Sequence, residues 1–125
     1  MQPLFLFGLA SSHAQWASVR QTAIAGNIAN ANTPGYKAVD AVAFDAVMNQ
    51  TQLALTRTSQ NHLQTATVDV PTRTLAASDS WGSNNSGNNV SIEQEMLKAG
   101  EVNRAYTLDT SIVRSFHRML LSGLK

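Results

Sequence analysis

Cysteine is absent from all 125 residues, which removes a disulfide frame and any thiolate metal site. Charge is also scarce, at 14% of residues with a net +1. That balance excludes a nucleic-acid binder held by phosphate contacts, which needs a concentrated basic face. The scarcity is uneven: from Met1 to Tyr36 the one charged side chain is Arg20. An exposed helix of that length normally carries many more charges, so most of its faces are expected to meet protein. Long apolar runs are missing too, and none approaches the ~20 residues that span a bilayer. Leu4 to Ala10 followed by Ser12-His13-Ala14 has the outline of a short secretory signal. It lacks a positive n-region, and the helical pattern runs on past the cleavage point, so retention of these residues is expected.

The usual devices of catalysis are missing as well. His13, His62 and His117 stand far apart, with no H-E-x-x-H or Glu-x-x-His partner, so no metal site is expected. The Gly82 to Gly87 stretch lacks the lysine of a phosphate loop, and no nucleophile elbow frames any serine. Trp16 falls on a helical seam and reads as packing, while Trp81 stands at a loop edge as a candidate exposed contact. No catalytic residue, cofactor or small-molecule substrate is expected.

What is present begins with a helical pattern from about Pro3 to Ala31. Phe5, Leu9, Ser12, Trp16, Val19, Ala23, Gly26 and Asn30 recur at alternating steps of four and three, the spacing of a coiled-coil seam. The occupants shrink toward Ala23 and Gly26, which suits close approach of another helix; Ile24 and Ile28 form a second line beside them. A helix of ~28 residues is roughly 42 Å long. It runs into Asn27-Ile28-Ala29-Asn30-Ala31-Asn32-Thr33-Pro34-Gly35-Tyr36-Lys37. Pro34 drives Thr33 out of the helical region, and Pro34-Gly35 suits the two central positions of a type II turn. Asn30 and Asn32 are placed to bond back to the helix end.

After the turn, Tyr36 to Ala43 reads as an extended arm, and Phe44, Val47, Met48 and Leu55 as a short amphipathic helix. Thr56 to Asp79 is rich in Ser and Thr, with short strands or irregular loop expected. Pro71 keeps Thr65 to Val70 from being a central strand. All eight residues from Gly82 to Asn89 are Gly, Ser or Asn, the composition of a flexible linker. Ser91 and Gln94 have capping-box spacing before a second long helix, with Glu93 and Glu95 complementing the dipole of its first turns. Its apolar line is Ile92, Met96, Ala99, Val102, Tyr106, Val113, Phe116, Leu120 and Leu124. The organisation is mainly α: an N-terminal helix in residues 1–33, a loop-rich, partly extended middle in 34–90 and a C-terminal helix in 91–125. The two helices are expected to pack as a coiled coil. Neither can bury its stripe alone, so the named seam residues are expected to form an assembly interface with sister subunits.

The Asn27 to Lys37 stretch resembles the N-terminal signature of bacterial flagellar rod and hook axial proteins. Phe44 stands where that family commonly carries a Phe, and Asn88 to Met96 and Asn103 to Tyr106 resemble its C-terminal helix. Thr58 to Leu63, with the short length, is most similar to the proximal rod components; another short rod component is the near alternative, and a small secreted helical binding module the distant one. The resemblance covers the first and last thirds and fades between Thr65 and Ser86. It implies a non-enzymatic structural subunit of the basal-body proximal rod, exported by the flagellar type III apparatus without a cleaved signal peptide. Its implied partners are copies of itself, other rod proteins, and the export gate and membrane-ring or adaptor subunits. Residues Leu4 to Leu9 would contact the gate or an adaptor, or else lie in the ordinary subunit seam.

Overall fold

A run with one charge, Arg20, and no proline after Pro3 gives one uninterrupted helix, α1, over Pro3–Ala29. The computed structural model describes residues 3–51 and 69–123. The arm after the turn contains β1 (Val39–Ala41) and leads into α2 (Phe44–Thr51). β1 pairs antiparallel with β2 (Thr72–Thr74), Asp40 lying opposite Arg73. β2 starts just after Pro71, whose carbonyl accepts from the Val42 amide at 3.0 Å, a place where the missing proline N–H costs nothing. A 3-10 turn spans Ala77–Asp79, and α3 runs over Ile92–Gly123. The expectations for Leu55, Thr58 to Leu63, Thr65 to Val68, His62 and Leu124 fall outside the described residues.

The terminal helices pack antiparallel along their length. Asn27 meets Glu95, Arg20 meets Glu101, His13 meets Asp109 and Phe7 meets Phe116, so one number falls as the other rises. The core is small: Trp16, Ala17, Ile24, Ala41, Val47 and Val102, flanked by Val42, Phe44, Val70 and Ala99. Trp16 belongs to it as the sequence suggests. Its indole N–H donates to the Val42 carbonyl at 2.7 Å, and its ring lies against His13, Phe44 and the Arg20 guanidinium. That bond satisfies the one polar atom of a buried indole.

The helix-pairing face of α1 differs from the expected seam. It is His13, Ala17, Arg20, Ile24 and Asn27, again at steps of four and three but one residue further along. One residue is about 100° of helix rotation. The expected stripe therefore splits: Trp16 is buried, Val19, Ala23 and Gly26 line a shallow groove, and Phe5 is 60% exposed. On α3 the inward residues are Glu95, Ala99, Val102, Asp109, Val113 and Phe116. Ile92, Met96, Tyr106 and Leu120 face outward instead. Periodicity was the right signal for the helices, and the face on which they pair carries a polar residue every seven positions, so large apolar residues alone do not mark it.

Candidate functional site

The first turn after α1 is built as its residues dictate. Tyr36 N–H donates to the Thr33 carbonyl at 3.2 Å, and Gly35 sits at φ +74°. That is the type II turn, with glycine at the position other residues resist. Asn30 donates from Nδ2 to the Gly26 carbonyl at 2.8 Å, as expected of a residue closing a helix. Asn32 is exposed and takes no such part.

Asn27 has the larger role. It is fully buried. Its Oδ1 accepts from the Val39 amide at 2.9 Å and the Tyr36 hydroxyl at 3.3 Å. Its Nδ2 donates to the Val39 carbonyl at 2.7 Å and to Glu95 Oε2 at 3.0 Å. Two donor hydrogens and two acceptor sites are thus all used, the full capacity of an amide. One side chain ties α1 to the arm behind the turn and to α3.

Glu95 is 1% exposed, so it is a buried carboxyl group rather than a dipole-complementing residue in solvent. Lys98 Nζ lies 3.0 Å from Glu95 Oε1 and 3.3 Å from Asp40 Oδ2. Arg20 then joins Asp40 at 3.1 Å and Glu101 at 3.4 Å. The sole charge of the first 36 residues thus closes a chain of alternating signs across α1, β1 and α3. Buried charges persist when paired and hydrogen-bonded in this way.

The capping box forms only by half. Gln94 N–H donates to Ser91 Oγ at 3.4 Å, but the Gln94 amide turns away, donating to the Asp79 carbonyl at 2.9 Å and accepting from Trp81 N–H at 3.3 Å. Exposed Glu93 takes the Ser91 hydroxyl at 3.0 Å. Its carboxyl is held below the ordinary 4.5 by its own backbone amide and then by that hydroxyl.

The Gly/Ser/Asn stretch is where composition misled most. Asn88 and Asn89 are each 1% exposed. Asn88 Nδ2 donates to the carbonyls of Asn30, Ala31 and Thr33 at 2.9, 3.0 and 2.8 Å. These include the Ala31 carbonyl, left over beyond the end of α1, so a residue 57 positions away performs the cap. Asn89 Oδ1 accepts from Ala38 N–H at 2.7 Å, and its Nδ2 donates to the Leu75 carbonyl at 3.2 Å. The Ser86 carbonyl takes Gly35 N–H at 2.9 Å, and Lys37 Nζ reaches the Gly87 carbonyl at 2.6 Å. A stretch too polar for an apolar core makes a dense hydrogen-bonded one. Sequence reasoning counts Asn88 and Asn89 as linker and as part of the resemblance, and Glu95 as complementing the helix dipole.

Outside this hub the surface is apolar in unusual places. Met96, Leu97, Tyr106, Leu108, Ile112, Met119 and Leu121 on α3 are exposed, Met96 to 66%. Trp81 is exposed to the same degree, as its loop-edge position suggested. Val19, Thr22, Ala23, Gly26, Tyr36, Val39 and Thr72 line an open, mostly apolar groove of about 340 Å³. A Cβ built on Gly26 would meet only the Tyr36 hydroxyl, at 4.0 Å. Among the described residues, no three His, Asp or Glu side chains gather as a metal site, and no helix is long and apolar enough to cross a membrane. The arrangement offers helix-packing surfaces rather than reacting groups.

The comparisons agree with the signature. The family model for "Flagella basal body rod protein" matches residues 10–37, most of α1 and the turn. The chain is also 46% identical to the "Flagellar basal body rod protein FlgB" of Agrobacterium fabrum (strain C58 / ATCC 33970), over 129 aligned positions that take in all of this chain and 96% of that protein. A full-length match of this kind covers the hub, the arm and both terminal helices together, and the chain therefore belongs to the flagellar basal body rod protein family, as a structural member and not an enzyme.

Proposed function

We propose that this protein is a subunit of the proximal part of the rod, assembled through its terminal helices into the axial tube that carries torque. The observation that carries the reading is the row of uncovered apolar side chains on α3, from Met96 to Leu121. Such a face is unfavourable in water and favourable against neighbouring helices. Close-packed interfaces yield little under load, as a torque-bearing tube requires. The groove over Val19, Ala23 and Gly26 is a second packing surface, its small residues allowing close approach. The assembly interface then comprises Phe5, Leu9, Val19, Ala23, Gly26, Ile92, Met96, Tyr106 and Leu120, with Trp16, Val113 and Phe116 supporting it from within.

The partners in this reading are sister copies, other rod proteins, and the export gate and membrane-ring or adaptor subunits near the apolar start of α1. Export proceeds by the flagellar type III route with the N-terminus intact. Cleavage after Ala14 would remove the first half of α1, together with the Phe7–Phe116 and His13–Asp109 contacts. N-terminal sequencing of the exported protein tests this: a start at Met1 or Gln2 agrees, and a start after Ala14 refutes it. An image of the basal body at side-chain resolution tests the rest. The Met96 to Leu121 face must be covered by neighbouring subunits at the proximal end of the rod; an uncovered face there, or another position in the rod, overturns the assignment.

A further inference from the structure

The contacts between α1 and α3 show a repeat that packing alone does not require. His13, Arg20 and Asn27 stand seven residues apart on α1, each with an acidic partner on α3: Asp109 at 2.6 Å, Glu101 at 3.4 Å and Glu95 at 3.0 Å. The apolar residues between these rungs are few and mostly small: Ala17, Ile24, Ala99 and Val102. Small apolar side chains fit almost equally well when one helix slides a turn along the other. Polar rungs do not. After a slide of one turn, Asn27 no longer lies opposite Glu95, and Ile24 or Ala31 takes its place. The buried carboxylate then keeps only Lys98 on its own helix and faces a hydrocarbon where Asn27 had donated, an unpaired side that burial disfavours.

We infer that the three rungs are a register code for the terminal-helix pair, with Glu95 its deciding member. Asn88, bonded to the end of α1, fixes where α3 starts. Glu95, in the first turn of α3, fixes the direction in which it leaves. Two anchored points define a line, and Arg20–Glu101 and His13–Asp109 hold the helix to it. This is the use of a polar position that fixes stagger in paired helices at some cost in stability. The consequence reaches the outside of the molecule: the stagger decides which exposed residues lie side by side, such as Phe5 near the Met119 to Leu121 end. A one-turn slip would displace that pattern by about 5 Å. The signature asparagine thus acts inside the subunit, as a positioning residue, and the inference holds whatever the place of the subunit in the rod.

The cysteine-free chain allows a direct test on the full-length soluble subunit. Spin labels on cysteines introduced at exposed Ala25 and Ser111 lie about 21 Å apart along the helix axis when the register is native. Pulsed dipolar spectroscopy should give one narrow distance in the parent and in Glu95→Gln, which keeps an acceptor for Asn27. Glu95→Leu should add a second population displaced by about one turn, roughly 5 Å. A Glu95→Leu chain with parental helicity and one unshifted distance overturns the inference, as does a parent lacking any narrow component. If Glu95→Leu loses its helicity, the decision passes to His13→Leu with Arg20→Met, which removes the two more exposed rungs. That variant should show the displaced population at a smaller fraction, and an unchanged distribution in it overturns the inference.

Discussion

Replacing Asn88 by alanine isolates the contribution of the long-range cap. The side chain is 1% exposed, and its amide serves three carbonyls at 2.8 to 3.0 Å while Oδ1 accepts from Val90 N–H at 2.8 Å. Alanine leaves the Ala31 carbonyl and the Val90 N–H without a protein partner, while the Asn30 and Thr33 carbonyls keep the N–H groups of Thr33 and Tyr36. Removing one partner from a buried polar group costs about 1–3 kcal/mol. Two groups lose their partner, so roughly 2–4 kcal/mol is expected in total. Against a whole-domain stability of about 5–15 kcal/mol that is a large fraction. Urea titration followed by circular dichroism reads it as a lower midpoint with an unchanged slope, since the surface exposed on unfolding is the same. Asn85→Ala is the control from the same stretch: Asn85 is exposed and should stay within about 0.5 kcal/mol of the parent. If the two variants unfold at the same midpoint, the segment is a linker after all and the cap is not energetically real.

Gly35 and Gly26 separate conformational need from space. At φ +74° alanine is strained, so Gly35→Ala should lose about 1–2 kcal/mol in the same titration. Gly26→Ala meets nothing closer than 4.0 Å and should gain up to ~1 kcal/mol from helix propensity. A loss there would show that the groove is closed in the free subunit. Gly26→Leu should fold yet fail to restore swimming to a strain lacking the protein, and normal swimming would reject the groove as a packing surface. For Glu93, whose pKa is depressed in the folded state, the stabilisation is present above the unfolded value and lost as pH falls through the folded one. Its NMR titration midpoint should lie below 4.5 and rise toward it in Ser91→Ala, and an unmoved midpoint would remove the hydroxyl as a cause.

Much of this molecule was legible from local rules. The two long helices, the short helix from Phe44 and the turn at Pro34-Gly35 follow from periodicity, from the restriction proline places on its predecessor and from glycine's tolerance of positive φ. The signature and the match across the whole chain place the family. These properties reside in neighbouring residues, or in a word-like run of them, and so can be read in order.

Which face of α1 meets α3 was decided only in three dimensions. The expected seam followed Trp16, Val19 and Ala23, whereas the pairing face carries His13, Arg20 and Asn27, polar residues that become acceptable inside only with partners. Glu95 is 68 residues from Asn27, and Asn88 is 58 from Asn30; neither pairing leaves a trace in local composition. The Gly, Ser and Asn content of residues 82–89 correctly excluded an apolar core, and the fold used the same amides to satisfy backbone groups that proline and the helix end had left open. Sequence fixes what each residue can donate, accept or bury on its own. The fold decides which distant residue answers it, because a buried polar group is stable only when its partner has been brought to within hydrogen-bond reach.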